Sequence, residues 1–124
     1  MATILLAIKP EFVEKIFNGV KKFEFRRRMP NKVVDKIIIY ATAPVGRVVG
    51  EVVVNSIISM SPNKLWNMTQ DFAGIGRDFF DSYFSGCDIA HAYSMGRVKI
   101  YDTPRLLSDF GIRTAPQSFV YMDK

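Results

Sequence analysis

The sequence of 124 residues is 48% hydrophobic and 23% charged, a globular composition at a length that fits one domain, 1–124, able to bury a core without metals or disulfides. Its 17 Lys and Arg against 12 Asp and Glu leave a net charge of +5, which favours polyanionic partners, nucleic acid above all, through phosphate neutralisation. A lone cysteine, Cys87, argues against a disulfide framework or zinc cluster and for a reducing, cytoplasmic setting, and no apolar run reaches the length of a signal peptide core or a membrane span.

In chain order, Ile4 to Ile8 is a short apolar run that reads as a buried strand. Pro10, followed by Glu11 and Glu14, marks a helix start, because proline suits the first turn and acids suit the positive end of the dipole. Phe12, Val13, Ile16 and Phe17 give that helix one apolar face, and Asn18-Gly19 ends it. Lys22 to Arg26 alternates charge with phenylalanine and reads as a strand. "DKIIIY" (Asp35 to Tyr40) is another. After the turn "ATAPVGR", Val48 to Ile58 forms a β-branched strand with a bulge or bend at Gly50. These two pair as an antiparallel hairpin. Ser61-Pro62 caps a short helix through Leu65, Trp66 and Thr69, and "RDFFDSYF" forms a second. Ile89 to Tyr101 returns to strand with a break near Gly96. "TPRLLSDFG" reads as a capped helical turn and "QSFVYM" as a last strand. Short, bent strands with few helices predict an α+β, mainly β architecture: a small, partly open β-barrel with short flanking helices.

"NGVKKFEFRRRMP" concentrates five basic residues in eight positions. If Lys22 to Arg26 is a strand, Phe23 and Phe25 point to the core while Lys22, Glu24 and Arg26 share the opposite face. Glu24 then pairs with both bases, which describes either a solvated, self-neutralised strand face or a binding surface. Arg27 and Arg28 have no acid nearby in sequence, and the planar guanidinium fork suits phosphate.

Gly19, Lys21, Glu24 and Arg26 spell G-x-K-x-x-E-x-R, which resembles the signature of the ASCH domain. "IYATAPVGRVVGEV" and "FGIRTAPQSFVYM" are similar to further blocks of small prokaryotic ASCH proteins, so the resemblance covers nearly the whole chain. It implies a PUA-like β-barrel and a cleft, lined by the signature, that binds RNA or a nucleotide-like ligand, with a possible regulatory role in transcription or translation. On this reading Lys21, Lys22, Arg26, Arg27 and Arg28 contact nucleic acid, and Glu24 orients Arg26 or accepts from a base amino group. Lys9, Gly19, Thr42, Gln117 and Ser118 are the further cleft candidates. The alternative is a small hydrolase, a modified-nucleoside amidohydrolase or a ribonuclease, using Lys21 and Glu24. One branch of the family hydrolyses an acetylated cytidine with a lysine, a threonine and a glutamate. Lys21 matches the lysine, but Glu24 stands at the threonine's place, so that nucleophile is missing. No catalytic residue, metal or cofactor is assigned, and the enzyme question stays open. A third reading is an interaction domain that docks an acidic protein on its basic patch.

Other features carry less. His91 has no second histidine for a metal or a dyad. Cys87 and His91 share a strand face only if the strand runs unbroken between them. "GIGRDF" lacks the lysine and hydroxyl of a phosphate loop and reads as a helix–helix turn. Trp66 is expected in the core. Phe119 and Tyr121 are split between core packing and base stacking.

Overall fold

The computed structural model describes residues 1–122. Strand β1 (Ala2–Ile8) leads to helix α1 (Pro10–Phe17), then β2 (Phe23–Arg26), β3 (Val34–Ala41) and β4 (Arg47–Met60). Helices α2 (Pro62–Thr69) and α3 (Arg77–Tyr83) flank a single 3-10 turn at Gln70–Phe72. The long β5 (Ala90–Arg105), a 3-10 turn at Leu107–Phe110 and β6 (Phe119–Tyr121) complete the order.

Among the described residues the strands form one mixed sheet of order β2-β5-β4-β3-β1-β6. β1 and β3 are parallel; the remaining pairs are antiparallel. The sheet curls into a half-barrel. Ile4 and Leu6 of β1, Ile37 and Ile39 of β3, Val52 and Val54 of β4, and Tyr93 and Met95 of β5 fill one common interior, with Val13 and Ile16 of α1 closing one side. Curling brings the two flanks together: the Arg26 guanidinium at the end of β2 donates to the Ala7 carbonyl of β1 at 2.9 Å, although three strands separate β2 from β1 in the sheet.

The outer face of β2 and β5 is covered by the helices. Phe25 and Ala92 pack there on Leu65 and Trp66 of α2 and on Phe80 and Phe84. The aromatic rings meet edge to face, with Phe25 5.2 Å from Phe80 and Phe80 4.8 Å from Phe84, the arrangement their quadrupoles favour. Trp66 is therefore core. Phe119 and Tyr121 are both half-buried against the barrel interior.

One element expectation is met in a milder form and one needs correction. β5 runs on through Gly96, but its ladder is irregular there: between the pairs Val52–Val98 and Val54–Met95 the extra residue lies on β5, at Gly96–Arg97, and a second shift, before Ser56, puts an extra residue on β4. Thr103 and Pro104 do not begin a helix; β5 runs through both, and helical turn starts only at Leu107. β2 pairs β5 only from His91 to Ser94, so the later part of β5 has a free edge, where a strand tolerates proline. At Gly50 the expected bulge is present, as a register shift in both the β3 and β5 ladders.

A candidate ligand cavity and its arginine groove

The site grows out of the β2 entry. Helix α1 ends at Gly19 (φ 84°), and the chain turns with the backbone N–H groups of Val20 and Lys21 both donating to the Lys15 carbonyl. Regular strand begins only at Phe23. Strict alternation therefore fails just upstream, and Lys21 rather than Lys22 is delivered beside Glu24. Lys22 turns outward and lies over the exposed Phe72 ring at 4.5 Å.

Lys21 is 3% exposed and Glu24 5%. The Lys21 ammonium donates to the Ala73 carbonyl at 2.7 Å and lies 3.8 Å from Glu24 Oε1. Arg26 donates to Glu24 Oε2 through both Nε (3.2 Å) and Nη2 (2.9 Å). Burial holds the Lys21 ammonium below its ordinary pKa; Glu24 opposes that shift, and Lys15 and Arg26 add to it. A buried charge is retained only where partners compensate for lost water, and here one carboxylate serves two cations. The loop that receives Lys21 is shaped for it. Gly74 has φ +70°, and a Cβ placed on it would lie 2.5 Å from Lys21 Cβ. Lys15 donates to the Gly74 carbonyl at 2.9 Å, fixing the same loop from α1.

Lys21, Glu24 and Arg26 line the polar part of a cavity of about 230 Å³ between the end of β1 and helix α3. Its walls are mostly aromatic: Phe12 from α1, Phe25 from β2, Phe79 and Tyr83 from α3, with Ile75, Ala7 and Lys9 completing the rim. Phe12 and Phe79 meet edge to face at 5.6 Å, and Phe79 is half exposed at the surface. A groove of about 650 Å³ adjoins the cavity and shares Arg26 and Tyr83 with it. Arg27, Arg28, Cys87, Gln117 and Ser118 make up the rest of its lining. Arg27 stacks on the Tyr83 ring at 4.6 Å, and both Arg27 and Arg28 are exposed.

Of the residues singled out from sequence, Lys9, Lys21, Glu24 and Arg26 therefore meet in the cavity. Arg26, Arg27, Arg28, Gln117 and Ser118 meet in the groove. Gly19, Lys22 and Thr42 line neither; Thr42 belongs to the turn after β3, where its N–H donates to the Ile8 carbonyl. Phe12, Ile75, Phe79 and Tyr83 were not singled out. Phe12, Phe79 and Tyr83 carried one signal, helical spacing of aromatics, which core packing produces equally well; Ile75 lies in the loop before α3 and carried none. His91 makes its contact with Ser59, at 2.7 Å between Nδ1 and Oγ, and not with Cys87, which precedes β5. Among the described residues no group of three His, Cys, Asp or Glu side chains is placed to hold a metal ion, and no helix is long and apolar enough to cross a membrane.

The ASCH domain family model matches residues 6–100. The chain belongs to the ASCH domain family. A crystal structure of ASCH from Zymomonas mobilis superposes with a TM-score of 0.90 at 29% identity, covering 99% of this chain and 89% of that one. A point variant of the same protein gives 0.91 at 28% identity, covering 100% and 92%. The PUA-like half-barrel is thus the family's fold. A Zymomonas mobilis protein named ASCH domain-containing ribonuclease is 34% identical over 90 residues, 72% of this chain and 61% of that protein. A Ureaplasma parvum protein named ATP synthase subunit alpha is 31% identical over 121 residues, 97% of this ASCH chain but 15% of its own length. A Ureaplasma parvum protein named large ribosomal subunit protein uL22 is 26% identical over 121 residues, 97% of this chain and 39% of its own. The chain thus spans less than two thirds of each of these relatives.

Proposed function

We propose that this ASCH domain binds RNA, with a base in the aromatic cavity and the flanking phosphates along the arginine groove. The observation that carries this reading is the continuity of the two sites. Arg26 and Tyr83 belong to both, so a ring held between Phe12, Phe79 and Tyr83 leaves its backbone beside Arg27 and Arg28. Aromatic walls hold bases by stacking, and exposed guanidinium groups hold phosphates. Any regulatory role in transcription or translation would be exercised through the RNA so held. Fluorescence anisotropy of a labelled RNA 12-mer tests the reading. The wild type is expected to bind, and Arg27→Ala with Arg28→Ala to weaken binding at least tenfold. Unchanged binding in the double variant would refute the groove.

A second reading, a ribonuclease or other hydrolase acting in the same cavity, is favoured by Lys21. Its lowered pKa makes the neutral amine easier to reach, and a neutral amine beside a carboxylate can take and return a proton. Similarity to a relative named as a ribonuclease supports the same direction. The discriminating measurement is the length of the labelled RNA after incubation, with and without divalent metal. Cleavage that disappears in Lys21→Met would rank catalysis first.

A further inference from the structure

The cavity holds more positive charge than a neutral base can use. Three cations line it, Lys9, Lys21 and Arg26, against one carboxylate, Glu24. That carboxylate is already spent: Oε2 takes both bonds from Arg26, and Oε1 is closed to solvent. The excess is felt inside the site. Burial, first, and then the charges of Lys15 and Arg26 hold the Lys21 ammonium below its ordinary pKa against the opposing pull of Glu24.

Two of the three cations can reach a ligand. Lys9 is exposed at the rim, and among the described residues it enters no ion pair. Arg26 spends Nε and Nη2 on Glu24 and Ala7, and its Nη1 makes no bond to any described residue. Among those residues, only Glu24 Oε1 and the Tyr93 hydroxyl are both unbonded and shut off from solvent, so Nη1 is open to it. The bond to the Ala7 carbonyl at 2.9 Å holds the Arg26 guanidinium beside the chain two residues before Lys9. Three bonds already fix it, so it can donate to a ligand with little further loss of freedom.

Resting on the RNA-binding reading above, we infer that the cavity takes the end of an RNA strand, with a terminal phosphate monoester held at its rim by Lys9 and Arg26. An internal nucleotide offers only diesters, each with about one negative charge, and those are met by Arg27 and Arg28 in the groove. A monoester carries close to two charges at neutral pH, with three acceptor oxygens. It therefore balances two open cationic donors where a diester does not, and a guanidinium suits it geometrically. The terminal base lies between Phe12, Phe79 and Tyr83, and the rest of the strand leaves along the groove that Arg26 and Tyr83 share with the cavity. A 5′ and a 3′ terminal phosphate have this chemistry in common.

Anisotropy of three RNA 12-mers of one sequence, labelled on an internal base, tests this. One has hydroxyls at both ends, one a 5′ phosphate and one a 3′ phosphate. In wild type a phosphate at one end, and not at the other, is expected to tighten binding about tenfold or more, the scale of charge-assisted hydrogen bonds. In Lys9→Ala, an exposed change that folding should tolerate, that advantage should fall below about threefold. Equal affinity for all three strands in wild type would overturn the inference while leaving RNA binding intact. An equal gain from either phosphate would overturn it too, since the overall field of the protein would then be responsible. So would an advantage of unchanged size in Lys9→Ala, which would put the phosphate away from the rim. Failure to bind any strand at all would remove the RNA-binding reading and this inference with it.

Discussion

At the scale of single residues, the three arginines that look alike in sequence do different work. Arg26 is mostly buried, bonds Glu24 twice and bonds Ala7 across the barrel mouth. Arg28 is exposed at the groove. Removing one partner of a buried ion pair leaves the other uncompensated, at about 3 kcal/mol, whereas an exposed surface change stays within about 0.5 kcal/mol. Urea unfolding of Arg26→Ala is therefore expected to show a loss of about 3 kcal/mol, and Arg28→Ala almost none. Equal, small losses would mean that Glu24 is adequately served by Lys21 alone. The spacing of Lys21, Glu24 and Arg26 was visible in the sequence. Their pairing was not, because alternation assigned Lys22 to Glu24. Only the late start of β2, at Phe23, shows why Lys21 takes that place.

At the scale of elements, apolar runs and caps marked β1, α1, β3 and β4 closely, because each buries a continuous face. The outer half of β5 was harder. From Lys99 to Arg105 it is largely exposed, so it lacks the apolar alternation that betrays a strand, and Thr-Pro imitates a helix start. The loop between the 3-10 turn and α3 was read as a plain connector. Its Gly74 in fact accommodates Lys21, and nothing local in sequence announces a contact 53 positions away. Gly19 and Gly74 both have positive φ, which costs an alanine about 1 kcal/mol. They differ in surroundings: nothing lies within 4 Å of a Cβ at Gly19, while one at Gly74 would strike the Lys21 side chain at 2.5 Å. Gly19→Ala should lose about 1 kcal/mol by chemical denaturation, and Gly74→Ala at least about 2 kcal/mol, since the clash adds to the strain. If the cavity holds a base, Gly74→Ala should also weaken RNA binding, because the added Cβ displaces Lys21, which lines the cavity. Matching losses for the two variants would show that Lys21 has room to shift.

At the scale of the whole molecule, a charge of +5 attracts any polyanion, and that general field must be separated from contact at the groove. Salt does so. Each phosphate neutralised on a single strand contributes roughly 0.7 to the slope of log affinity against log salt. If Arg27 and Arg28 each hold a phosphate, replacing both with alanine should flatten the slope by about 1.4. The control must remove two charges elsewhere. Arg97 and Lys99 are exposed on β5 beyond its pairing with β2, and replacing them by alanine changes net charge by the same amount. That variant should keep the wild-type slope, because charges separated by more than a Debye length of about 8 Å at physiological salt are screened from the strand. Slopes that fall equally in the two variants would mean that the molecule binds RNA through its overall field, and that the run of three arginines beside the cavity is a solvated edge.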